Sequence, residues 1–163
     1  MYDQHSTDGS IELAQSLGIE VRPFGNRELN DQVYLDVKNH CWKECRGKGI
    51  DYVIVVDVDE FVTKPNGINP MPKVTGYNMI SETLPVNDIF EINTGEPSES
   101  YSKQAIFNPD AIEEINYVHG CHKNNKVIFE YYKNKTFNCV DCQLYHYRQI
   151  GGVDRIIERH RTY

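Results

Sequence analysis

The chain has 163 residues, of which 39% are hydrophobic, and its formal net charge is −7, which fits one domain with an ordinary core. The acidic balance argues against nucleic acid as a bulk partner, and no apolar run reaches the ~18–20 residues of a membrane helix, so no integral membrane segment is expected. Five cysteines spread without a dense framework point to reduced thiols and a cytoplasmic setting.

In chain order, Ser6, Thr7 and Asp8 are N-cap residues ahead of a helix-favouring run from Ile11 to Leu17, which Gly18 stops. Ile19 to Phe24 reads as a short strand, with Pro23 marking its end or an edge. A longer helix is expected from about Asn30 to Arg46, its Leu29, Val33, Val37 and Cys41 facing a sheet and Gly47-Lys48-Gly49 closing it. Next comes Ile50-Asp51-Tyr52-Val53-Ile54-Val55-Val56-Asp57-Val58-Asp59-Glu60-Phe61. Continuous β-branched residues of this kind build a strand buried on both faces. The order helix, strand, helix, strand is an α/β layered pattern, for which parallel strands and right-handed crossovers are expected. Tyr2-Asp3 reads as the tail of a further strand, so the sheet is expected to lack its first strand or strands.

Beyond Phe61 the pattern loosens. Lys64 to Pro72 is a loop, Thr75 to Ser81 and Asp88 to Ile92 are strand candidates, and Thr94 to Ser102 reads as a polar surface loop. Lys103 to Phe107 is a strand, Pro109 to Ile115 a short helix, and Lys126 to Tyr132 and Gln143 to Tyr147 are strands. Gly151 to Arg161 is a basic amphipathic helix with Val153, Ile156 and Ile157 on its apolar face; its arginines read as a solvated side.

The chemistry concentrates at Asp57 and Asp59. Two acids one residue apart at a strand's C-terminal tip lie where open α/β sheets place their ligand crevice. Burying them unpaired is costly, and a hard divalent cation that also meets phosphate oxygens is the economical answer. The plainer reading is a solvated loop capping the next turn. Cys121-His122 with Cys139-Val140-Asp141-Cys142 admits a structural zinc site, with free thiols as the alternative. Cys41 and Cys45, one helical turn apart, read as core and flank.

Three features together resemble the family 2-type glycosyltransferases of the GT-A fold: Asp3-Gln4-His5-Ser6-Thr7-Asp8-Gly9-Ser10, Lys38-Asn39 on the second helix, and Tyr52 to Glu60 with its Asp57-Val58-Asp59. Looser matches follow at Lys103 to Pro109, Val118 to His122 and Leu144 to Arg148. The resemblance implies a Rossmann-like mixed sheet with flanking helices, in one partial domain with a nucleotide-binding half (1–61) and an acceptor- and metal-completing half (62–163). It implies transfer, with inversion, of a sugar from a nucleotide-diphosphate sugar to a glycan, lipid or protein acceptor.

It also implies roles for single residues. Asp3 would contact the nucleotide base, although Gln4 stands where many members have a second Asp or Asn. Lys38 and Asn39 would line the nucleotide pocket. Asp57 would approach the ribose or a metal-bound water, Asp59 would ligate the ion, and His146 would complete the metal shell. A strand histidine hydrogen-bonded in place remains the alternative for His146. Mg²⁺ or Mn²⁺ held this way would offset charge on the leaving diphosphate, and an imidazole ligand tilts the choice toward Mn²⁺. Asp110, Glu113, Glu114, His119 and His122 are positions for a general base, none singled out.

Two rivals stand beside this reading. A haloacid-dehalogenase-like phosphatase would use Asp57 as nucleophile, but Glu60-Phe61 follows where that motif wants Gly-Thr. A non-catalytic remnant would keep nucleotide-sugar or glycan binding without turnover.

Overall fold

Local hydrogen bonding sets the first elements. A computed structural model describes residues 1–28, 30–65, 67, 69–118, 124–128 and 141–161, with backbone alone for 124–128 and 160. Strand β1 (Tyr2–Asp3) lies parallel to β2 (Arg22–Pro23). Between them runs α1 (Ser10–Ser16), entered through Gly9 at φ 87, where glycine carries no steric cost. Asp8 Oδ1 accepts from the Ser10 amide and hydroxyl at 3.1 and 2.6 Å, so the expected cap residue acts one residue before the N-cap Gly9.

Helix α2 (Asp31–His40) starts at Asn30, whose side chain accepts from the Gln32 and Val33 amides. It runs into a 3₁₀ turn at Cys41–Cys45, not a continuous helix to Arg46. Its inward face also differs from expectation. Leu35 and Lys38 are buried while Val33 and Val37 are half-buried, and Leu29 lies outside the described residues. The cause is Trp42, which is 2% exposed and turns the Leu35 side into the core.

The expected long central strand is short. Strand β3 (Val53–Ile54) pairs antiparallel with β7 (Ile106–Phe107), and the Val55 amide extends the ladder to the Ala105 carbonyl. Val53 and Val55 are buried but Ile54 is 54% exposed, so the strand is covered on one face. Parallel pairing occurs instead at β1–β2 and between β5 (Lys73–Ser81) and β10 (Asp141–Ile150).

The second half forms a four-stranded mixed sheet in the order β4 (Glu60–Val62), β10 (Asp141–Ile150), β5 (Lys73–Ser81), β6 (Gly95–Pro97). The expected loop at 94–102 therefore supplies an edge strand and a 3₁₀ turn, Glu99–Tyr101. Asp88 to Ile92 is a 3₁₀ turn capped by Asp88, not a strand. The short helix expected at 109–115 is a turn running into β8 (Glu114–Tyr117), which pairs with β9 (Asn124–Ile128). Helix α3 (Gly152–Arg161) closes the described chain, with Val153 61% and Ile157 44% exposed, so only part of its apolar face is covered.

Alternation along β7 joins the layers. Phe107 packs with Leu35, Trp42, Val53, Val55, Ile112 and Ile115, and meets Trp42 edge-on at 5.2 Å. Ile106, on the opposite side, packs with Val74, Ala105, Cys142 and Leu144 of the four-stranded sheet. Cys142 is thus a fully buried core thiol; Cys121, His122 and Cys139 of the zinc reading lie outside the described residues. The architecture is mixed α/β, with strands in both orientations and few helices. No helix among the described residues is long and apolar enough to cross a membrane. Phe107→Ala opens a cavity between these layers and is expected to cost about 3–5 kcal/mol, read as a lowered urea midpoint.

Candidate functional site

The turn after β3 is closed from both sides. The Glu60 amide donates to the Asp57 carbonyl at 3.1 Å, and the Asp57 amide donates to Glu60 Oε2 at 2.9 Å. This reciprocal pair fixes the turn and leaves Val58 91% exposed at its tip. Glu60 itself is buried, so its charge must be met inside the protein. Lys103, 1% exposed, meets it with Nζ 2.8 Å from Oε1 and 2.7 Å from Oε2. Burial pushes the Glu60 carboxyl up, but Lys103 and the Asp57 amide more than offset this and hold it below its ordinary value.

Asp57 belongs to the same charged group. Lys38 Nζ lies 2.6 Å from its Oδ1, which the Tyr34 hydroxyl also reaches, and Lys103 Nζ lies 3.8 Å from Oδ2. Burial pushes the Asp57 carboxyl up to about 7; Lys103 pulls against it, Glu60 and Asp59 add to it, and Arg148 opposes it. The inward turn of Lys38 on α2 thus has an electrostatic reason: an otherwise costly half-buried carboxylate receives an ammonium.

Asp59 points elsewhere. Its Oδ2 lies 3.7 Å from His146 Nε2, and its side chain is 37% exposed. The ladder sets this pair, because His146 on β10 stands opposite Glu60 on β4 and the Tyr147 amide donates to the Asp59 carbonyl. His146 is 1% exposed, and burial lowers its pKa. Its Nδ1 is 3.3 Å from Asn78 Oδ1, while the Asn78 amide nitrogen donates to Gln149. Asn78 thus offers the ring an acceptor at Nδ1, and the tautomer that donates to it would turn the Nε2 lone pair toward Asp59. Tyr101 stacks on the imidazole at 4.0 Å. A Cβ on Gly76 would come within 2.3 Å of the Tyr101 backbone, so only glycine lets that turn approach β5 closely enough to bring Tyr101 over the ring.

These distances bear on a metal. Among the described residues no group of three or more His, Cys, Asp or Glu side chains could hold one. Asp59 and His146 form a two-donor set, and Asp57 is occupied by Lys38 and Tyr34. Two donors fit Mg²⁺ or Mn²⁺ of the kind that takes one or two protein groups and completes its shell with phosphate oxygens and water.

The other residues singled out in the sequence fall outside this group. Asp3 is buried and accepts from the Ser6 amide and hydroxyl at 2.9 and 2.6 Å, bonds that hold its carboxyl below the ordinary value. Gln4 donates to the Asn26 and Glu28 carbonyls. Asn39, next to Lys38, accepts from the Tyr117 amide and ties α2 to β8. Asp110 accepts from the Gly47 amide and Glu114 pairs with Lys43 at 2.7 Å, whereas His119 and His122 lie outside the described residues. Sequence reasoning missed Tyr34, Glu60, Asn78, Tyr101 and Lys103. Only Glu60 and Lys103 left a signal, as charged residues within otherwise apolar strand patterns.

No family model, curated protein or solved structure matches the chain. Lys103→Met would leave Glu60 as a buried carboxylate without its ammonium. It is expected to cost about 3–5 kcal/mol in urea denaturation, with partial recovery in the double variant Glu60→Leu/Lys103→Met.

Proposed function

We propose that the chain binds a nucleotide-diphosphate sugar with divalent-metal help and transfers its sugar to an acceptor hydroxyl, as the family 2-type glycosyltransferases do that its motifs resemble. The observation that carries this reading is the approach of Asp59 Oδ2 and His146 Nε2 to 3.7 Å, beside an Asp57 already neutralised by Lys38. Asp59 and His146 would hold the Mn²⁺ or Mg²⁺, which supplies Lewis-acid stabilisation of a leaving diphosphate.

The chain's own residues prepare that site. The Glu60–Lys103 pair holds the turn, and Lys38 and Tyr34 fix Asp57 at its edge. Asn78 and Tyr101 hold the His146 ring, whose Nε2 would be the ligand side. GT-A architecture, inversion and the nucleotide roles of Asp3 and Asn39 belong to the same proposal and rest on the motifs. The phosphatase alternative is less well supported. It needs a carboxylate oxygen of Asp57 poised to attack, and the Asp57 side chain is 16% exposed with Oδ1 shared by Tyr34 and Lys38.

Calorimetric titration with nucleotide sugars, with and without Mn²⁺, tests the reading. Donor binding is expected to require the metal and to weaken at least about tenfold in Asp59→Ala. Binding of a glycan alone, indifferent to metal and to Asp59, contradicts it.

A further inference from the structure

Beside the His146 ring lies a cavity of about 150 Å³ lined by Tyr101, Arg148, Gln149, Ile156 and Arg159. Its origin is a bulge. Strand β10 slips against β5 between His146 and Gln149, where three steps on β10 oppose two on β5. A bulge adds a residue without a ladder partner and re-aims the side chains around it. Here Tyr147 goes into the core with Met79 and Ile92, while Arg148 and Gln149 both line the cavity. Helix α3 supplies the other wall through Ile156 and Arg159, one turn apart. Arg159 Nη1 donates to the Arg148 carbonyl at 2.5 Å, which locks its guanidinium at the cavity.

Two arginines therefore line one small cavity, and no carboxylate among the described residues lines it. Neither arginine forms an ion pair with a carboxylate among the described residues. Each is half-buried, so water screens their mutual repulsion only in part. Tyr101, which lines the cavity, stacks on the His146 ring at 4.0 Å, which places the cavity at the border of the Asp59–His146 pair. Guanidinium forks match the oxygens of phosphate, and two forks with a neighbouring phenol offer donors to several of them at once.

We propose that the cavity between the β10 bulge and α3 is a phosphate-binding subsite, with Arg148 and Arg159 as its ligand residues. The phosphate comes from the nucleotide diphosphate or from a second phosphorylated substrate. The subsite does not depend on sugar transfer.

The test titrates the 163-residue chain with inorganic phosphate in excess chelator, followed by phosphorus NMR. Arg148→Gln, Arg159→Gln and Arg148→Lys are compared with Arg27→Gln, an exposed arginine elsewhere, each first matched to wild type in circular dichroism and urea midpoint. Each glutamine variant at the cavity is expected to weaken phosphate binding about tenfold, Arg148→Lys less, and Arg27→Gln not at all. Absence of binding by the wild type, equal affinity in the Arg148 and Arg159 variants, or an equal loss in Arg27→Gln overturns the proposal. A second arm omits the chelator and adds a nucleoside diphosphate with diamagnetic Mg²⁺. Displacement of phosphate, with sensitivity to both Arg148→Gln and Asp59→Ala, identifies the nucleotide as the source. Phosphate binding without such displacement leaves the subsite standing, assigns it to another phosphorylated substrate, and counts against the nucleotide-sugar reading.

Discussion

The structure depends on one buried ion pair. Glu60 and Lys103 are almost fully enclosed, come from segments 43 residues apart, and meet at 2.7–2.8 Å. Each charge would be very costly alone, so folding must bring the turn after β3 and the approach to β7 together. That single requirement ties the helical layer to the four-stranded sheet, because β7 packs on one side against Trp42 and on the other against Leu144. It also fixes Asp57 and Asp59, since Glu60 closes their turn through the Asp57 amide.

From that anchor the two aspartates diverge. Asp57 faces inward, between Lys38 and Lys103, where burial and cations oppose each other and its carboxyl sits near 7. Asp59 faces outward to His146. The two acids thus have different surroundings: Asp57 is met by the protein's own ammonium groups, and Asp59 is the one the proposed function gives to an external cation. The β10 bulge then sets Arg148 beside this acidic tip, so positive and negative faces border one another across the Tyr101 and His146 rings.

Much of this was legible in the chain and some was not. The apolar run ending at Asp57 announced a strand tip with acids, Asp8 announced a helix start through its short acceptor side chain, and the second helix starts beside the expected Asn30. The length of β3 was not legible. A continuous Val-Ile run is compatible with burial on both faces, but Ile54 is 54% exposed, and only tertiary context decides that. The turn of α2 was misread because spacing favoured Val33 and Val37, whereas the Lys38–Asp57 pair and Trp42 decided the inward side. Polar residues at 94–102 concealed an edge strand, since edges tolerate polar side chains. Asn78 and Tyr101 were invisible because they reach His146 on β10 from β5 and from the Glu99–Tyr101 turn, both far away in sequence.

The central claim is that the fold presents Asp59 and His146 together to one divalent cation while Asp57 is held by lysine. Pulsed electron paramagnetic resonance of Mn²⁺ added with a nucleoside diphosphate reads this directly. Nitrogen modulation from one imidazole is expected, lost in His146→Gln and in Asp59→Asn but retained in Arg27→Gln. Bound Mn²⁺ without nitrogen coupling, or with coupling that survives His146→Gln, would contradict it.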